Sequence, residues 1–265
     1  MTDTIKQLGQ TVLLGTAQRP GTESPCADGW DVHRLNRSAV RAAVVDAAGH
    51  RPEAIRYVKH APAVITHIGT TQGGLAGLMT AGQMAHAYPR PPHVSAVYAR
   101  VDAGESTAVH WIGDCRAYGF SGCELRQYNT VHTMGEWLRR NGGVAAEIAD
   151  HHDNWARLGL AQASAATCGE TEIPAEIPLV LLMSDGIPDH VGHEGMEQLC
   201  RELGDRPQDL ADALVATVKE DDGATGMTRR WWRCCEAEGH AARPPVARRP
   251  VPPWRAGGRT RAGSG

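Results

Sequence analysis

Three apolar runs in this sequence stop at an aspartate: AAVV before Asp46, HWIG before Asp114 and LVLLMS before Asp185. A fourth aspartate, Asp222, stands in the turn-like KEDDGAT. A strand that ends in Asp beside a small residue sets a carboxylate at a sheet edge, where the backbone can crowd a ligand. Asp-Gly turn chemistry explains any one of these on its own. The set asks for more, because carboxylates are hard ligands for Mg²⁺ or Mn²⁺, and several together can build a centre that activates water and binds phosphate.

Charge is unevenly placed. Residues 229–265 hold nine Arg, no Lys and two Glu, whereas residues 1–228 hold 18 basic and 28 acidic side chains. An acidic body suits cations and argues against a nucleic-acid surface there. The seven cysteines include no CxxC pair, so they read as thiols in a reducing compartment. With no basic-then-apolar leader and no long apolar span, the chain is expected to be cytoplasmic and monomeric.

Periodicity divides the chain unevenly. Residues 1–37 read as irregular, apart from a short strand at Gln10–Gly15. Ala39–Val45 reads as a strand, AVITHI near Ala61–Thr71 as another, and Gly73–Tyr88 as a helix. Residues 93–128 read as one antiparallel meander with a tight hairpin at Ser121–Gly122. Thr133–Asn141 and Val144–Ala149 read as helices, and Asp150–Glu176 as a surface loop. Pro178–Ser184 reads as a buried strand, followed by amphipathic helices at Gly195–Leu203 and Pro207–Glu220. The Arg-, Pro- and Gly-rich stretch from 229 to 265 has too little to bury and is expected to be a disordered tail to a 1–228 domain.

Five segments, in order, resemble the PP2C-type metal-dependent protein Ser/Thr phosphatases: VVDAAGH, WIGDCRAY, NTVHTMGEWLRRNG, LVLLMSDGIPDHV and DDGATGM. The resemblance implies an α+β fold, a β-sandwich of two antiparallel sheets flanked by helices, with metals between the sheets at one end. It implies two or three Mn²⁺ or Mg²⁺ ions held by Asp46, the Ala47 carbonyl, Asp114, Asp185 and Asp222. It also places Asp28, in SPCADGWDV, at an early acidic metal position, with Asp31 as its rival. His50 stands where a general acid is expected, with His33 as its rival. The implied partner is a phosphoprotein phosphorylated by a Ser/Thr kinase.

The sequence also departs from that pattern. Glu23 stands where the family carries a phosphate-binding Arg, leaving Arg19 or Arg34 as substitutes. DGxGG has become DAAG, and the apolar strand expected after Asp222 is replaced by MTRRWWRCC. Two readings follow: an active phosphatase, or a PP2C-like pseudophosphatase that binds a phosphoprotein without turnover.

Overall fold

The computed structural model describes residues 11–19 and 25–217. The 228/229 boundary, the basic stretch, Glu23 and Asp222 lie outside the described residues.

The chain first builds an antiparallel hairpin from β1 (Asp28–Arg34) and β2 (Ala39–Ala47). Its turn is closed by Asn36, whose Oδ1 accepts from the Ser38 amide at 2.8 Å and from the Ser38 hydroxyl at 2.9 Å. The region expected to be irregular therefore contains an edge strand, which DGWDVHR hides because its polar residues break the apolar alternation. Thr11–Gly15, expected as a strand, forms none. It is tied instead by the Val12 amide donating to the Arg37 carbonyl at 2.8 Å.

Three helices follow: α1 (Pro52–Val58), α2 (Ala61–Gln72) and α3 (Gly74–Ala85). AVITHI is thus helical, not extended. The apolar run alone cannot distinguish the two, but Ala61, Ile65 and Gly69 fall at four-residue spacing and all are buried. Gly69 and Gly74 matter for packing here. A Cβ at either would lie within 2.6 Å of the Tyr98 ring, so only bare backbone lets the two helices seat on the sheet.

β3 (Val94–Asp102) and β4 (Thr107–Ile112) continue the first sheet, and β5 (Arg116–Phe120) and β6 (Leu125–Gln127) start a second. The expected single meander is therefore two hairpins on different sheets, and the chain crosses between them at Gly113–Cys115. After α4 (Met134–Asn141) and α5 (Ala146–Asp150), β7 (Gly169–Ile173) completes a five-stranded sheet ordered β1-β2-β3-β4-β7. β8 (Leu179–Met183) joins β5, giving a three-stranded sheet ordered β6-β5-β8. The stretch expected as a surface loop thus contains β7, and also a 3₁₀ turn whose Leu160 is fully buried beside α3. The chain then forms α6 (Gly186–Leu203), kinked at Gly192, and α7 (Pro207–Thr217).

The result is four layers. α2 and α3 pack on one face of the large sheet through Ala43, Val45, Ile65, Leu78 and Tyr98. Val97, Val109 and Trp111 on its other face meet Ala117 and Ile173 between the sheets. Phe120, Met183, Met196 and Leu214 bury α6 and α7 against the small sheet. The α–β–β–α sandwich expected from the sequence is the observed architecture. No helix among the described residues is long and apolar enough to cross a membrane.

One side chain fastens the crossing between sheets. Buried Asn129 accepts from the Ala117 amide at 2.7 Å and donates to the Cys115 carbonyl at 2.9 Å. Asn129→Ala leaves both backbone groups buried and unpaired, at about 1–3 kcal/mol each. Urea unfolding should therefore show a loss of about 2–6 kcal/mol.

Candidate metal centre

Asp28 and Asp46 are direct partners across β1 and β2. The neighbouring Ala47 amide donates to the Ala27 carbonyl at 3.1 Å, which makes Ala27–Ala47 the hydrogen-bonded pair and Asp28–Asp46 the non-hydrogen-bonded one. Side chains stand closest in the second kind. Asp46 is two residues from Val44, which packs between the sheets, so both carboxylates face the interior of the sandwich at its end.

Asp114 lies on the crossing between sheets, and its position is tightly held. Its amide donates to Ser95 Oγ on β3 at 3.1 Å. Gly113 is in the left-handed region (φ +92°), and a Cβ there would meet Ser95 Oγ at 2.1 Å. The Gly113 amide also donates to His132 Nδ1 at 3.2 Å. Asp185 follows β8 and opens α6. Four residues on, Asp189 accepts from the Arg116 guanidinium at 2.7 Å, which pins the first turn of α6 to β5.

These placements bring carboxylate oxygens of Asp46, Asp114 and Asp185 all within 4.8 Å of one another. Asp114 is buried, and Asp46 and Asp185 keep partial access to solvent. Asp46 is the hub: it is the cross-strand partner of Asp28, and its carboxylate converges with those of Asp114 and Asp185. Burial first, then the charges of Asp185, Asp28 and Asp114, push Asp46 well above the usual carboxylate range. Burial and the Asp114 charge raise Asp185 to about 7. Burial also raises Asp28, against opposing contributions from Asp46, Cys26 and His50.

Such a set resists full ionisation unless a cation offsets it. Converging hard oxygens with mutual repulsion are the donor chemistry that a divalent Mg²⁺- or Mn²⁺-type ion requires. The residues present fit that group.

The other expected residues fall as follows. Ala47 ends β2, and the N–H and C=O of a strand residue point the same way, so its carbonyl faces the Cys26–Asp28 side. The turn after it places its positive φ (+91°) on Gly49, so Ala47 and Ala48 keep ordinary backbone and DAAG is unstrained. His50 is exposed beyond that turn, and its charge reaches Asp28. His33 is not at this end: it pairs with Arg41 far along the hairpin and contacts Thr70 at 3.5 Å. Asp31 points to the opposite face from Asp28 and accepts a hydrogen bond from Thr66 on α2. Arg34 lies roughly 20 Å of strand away from Asp28 and donates to the Val12 carbonyl at 3.0 Å. Arg19 comes to the correct end, where its carbonyl lies 4.0 Å from Cys26 Sγ.

Sequence reasoning missed Ser95, Asn129, Arg116 and Asp189 as supports. The last two were visible inside GDCR and SDGIPD, whose chemistry looks unremarkable until the strands and helix bring them together.

The sequence matches no family profile and no curated protein. Its fold does have solved counterparts. The serine/threonine phosphatase Stp1 from Staphylococcus aureus is 16% identical with a TM-score of 0.63, over 80% of this chain and 95% of that one. A bacterial serine phosphatase is 17% identical with a TM-score of 0.60, over 72% and 85%. The catalytic domain of the serine/threonine protein phosphatase PstP, solved with two manganese ions, is 19% identical with a TM-score of 0.56, over 76% and 88%. The chain has the PP2C-like fold.

Raised carboxylates carry a pH signature. In the folded, metal-free state Asp46 and Asp185 keep protons that the unfolded chain, at an ordinary value of 3.8, has released. The folded state then binds more protons, so stability falls as pH rises from about 4 toward about 7. In chelator, the urea midpoint should be higher at pH 5 than at pH 8, and Asp185→Asn should flatten the difference. A midpoint that climbs with pH in the wild type contradicts the crowding described here.

Proposed function

We propose that this protein is a divalent-cation-dependent phosphoprotein phosphatase that hydrolyses phosphoserine and phosphothreonine. The convergence of Asp46, Asp114 and Asp185 from both sheets, at one end of this fold, carries the reading. The manganese in the PstP structure supports it. Asp46, Asp114, Asp185, Asp28 and the Ala47 carbonyl would hold the ions, two or three of Mn²⁺ or Mg²⁺, joined by Asp222. Bound there, such ions supply a nucleophile from water near neutral pH and offset phosphoryl charge.

The chain's own residues do the remaining work. Arg116 and Asp189 hold Asp185 in place, and Ser95 and Gly113 hold Asp114, so the carboxylates meet without reorganisation. His50, exposed beside Asp28, is placed to give a proton to the leaving Ser or Thr oxygen. Arg19 is the guanidinium we assign to the substrate phosphate, because its backbone reaches the Asp28 end and Arg34 does not. The substrate is a phosphoprotein made by a Ser/Thr kinase, met in the cytoplasm by a monomer whose 229–265 segment is dispensable for catalysis.

Steady-state kinetics with Mn²⁺ on a phosphopeptide test this. Asp185→Asn should lower kcat/KM at least about a hundredfold, since several kcal/mol of charge stabilisation go with the ligand. Mn²⁺ binding without any turnover in the wild type would instead select the pseudophosphatase reading.

Arg19→Ala should raise KM about tenfold to a hundredfold, the loss of a charged hydrogen bond of about 1–3 kcal/mol. Arg34→Ala should leave KM unchanged. The reverse pattern would remove Arg19 from the site.

A further inference from the structure

Trp111 on β4 is the cross-strand partner of Gly169 on β7. A Cβ at Gly169 would lie 2.3 Å from the indole, so bare backbone there leaves room for the ring. The indole Nε1 donates to the Thr130 carbonyl at 2.7 Å and draws in the stretch that leads to α4. Two residues on, the His132 ring stacks on the indole, with centroids 6.0 Å apart and planes 29° from parallel. The Arg157 amide donates to the His132 carbonyl at 2.8 Å. His132 is thus held by both its ring and its backbone.

What His132 grips is the residue before Asp114. Its amide donates to the Gly113 carbonyl at 2.8 Å, and its Nδ1 accepts from the Gly113 amide at 3.2 Å. An accepting Nδ1 requires the neutral ring with its proton on Nε2. Burial, then the charges of Arg157 and Arg140, push the imidazole below its ordinary value and favour that form. Gly113 needs the grip. Glycine enters positive φ at little cost and leaves it at little cost, so its backbone is the least self-restraining in the chain. Ser95 takes the Asp114 amide, and the Gly113 amide falls to His132.

We propose that His132 is a positioning residue of the metal centre, acting through the Gly113 peptide to keep the Asp114 carboxylate converged with those of Asp46 and Asp185. The inference rests on the metal-centre reading above and deepens it by naming what fixes one of its carboxylates. His132 touches no ion in this role. Its contribution is an acceptor at the Nδ1 position rather than imidazole chemistry as such. Asparagine can supply that acceptor, because its Oδ1 is bonded to Cγ as Nδ1 is in histidine. Phenylalanine can cover the Trp111 ring but accepts nothing.

The test measures Mn²⁺ affinity by calorimetry on the full-length chain, with urea unfolding of each variant alongside. His132→Phe should weaken Mn²⁺ binding about tenfold to a hundredfold, the usual effect of losing an outer hydrogen bond that orients a ligand. His132→Asn should restore most of that affinity. His132→Leu serves if the Phe variant fails to fold. In an Asp114→Asn background, adding His132→Phe should weaken Mn²⁺ no further, because the carboxylate it positions is already gone. Additive losses mean that His132 acts elsewhere and overturn the proposal. So do Asn and Phe variants whose affinities fall together in step with their urea midpoints, the pattern of a merely structural residue. A Phe variant that binds Mn²⁺ as the wild type does overturns it as well. Each of these leaves the metal centre standing, whereas a wild type that binds no Mn²⁺ removes the centre and the role of His132 with it.

Discussion

Asp28 and Asp46 face each other as a non-hydrogen-bonded pair across the first hairpin, and much of the molecule is arranged around the repulsion that follows. Two carboxylates this close are costly, and Asp114 and Asp185 arrive from elsewhere to make the crowding worse. Such a cluster persists only if the scaffold is stiff. Five strands hold one side of it and three hold the other, while Arg116, Ser95 and Asn129 fix the segments between. The protons that burial and crowding keep on these carboxyls are a makeshift for positive charge, and the geometry is ready for a better one.

The site sits at the seam between sheets, which explains the order of motifs along the chain. Asp46 ends a strand of the large sheet, Asp185 follows a strand of the small one, and Asp114 lies where the chain passes from one to the other. Each carboxylate therefore reports on a different part of the sandwich. Slippage of one sheet over the other by a single residue would separate them, and a slip within the hairpin would turn Asp46 to the helical face.

Sandwich and site were readable to different depths. The strand ending in Asp46, the strand before Asp185 and the hairpin at Ser121–Gly122 announce themselves by apolar runs and turn residues. β1 was lost because edge strands need little apolar character, and α2 because a short apolar run has no clear period. The crossing at Gly113–Cys115 looked like another turn in a meander, since sheet membership is set by contacts far apart in sequence. Asp46, Asp114 and Asp185 converge, whereas the register of β1 on β2, which sets Asp28 opposite Asp46 and His33 opposite Arg41, is not written in the sequence. The supports were the least legible: nothing in the sequence marks Ser95 or Asn129, whose partners are backbone atoms of distant segments.

The segment around Leu160 looks, by composition, like a place where a protease would cut. In the fold Leu160 is fully buried, the His86 ring nitrogen lies 3.0 Å from the Ala161 carbonyl, and Gly82 approaches the Leu160 carbonyl so closely that a methyl group would not fit. That stretch is a plug beneath α3, pinned by the Leu160 side chain, by the His86 ring and by the bare backbone of Gly82. Its amides are expected to exchange slowly, because opening this stretch would uncover Leu160, and a segment that reads as surface loop is bound to keep its length and path.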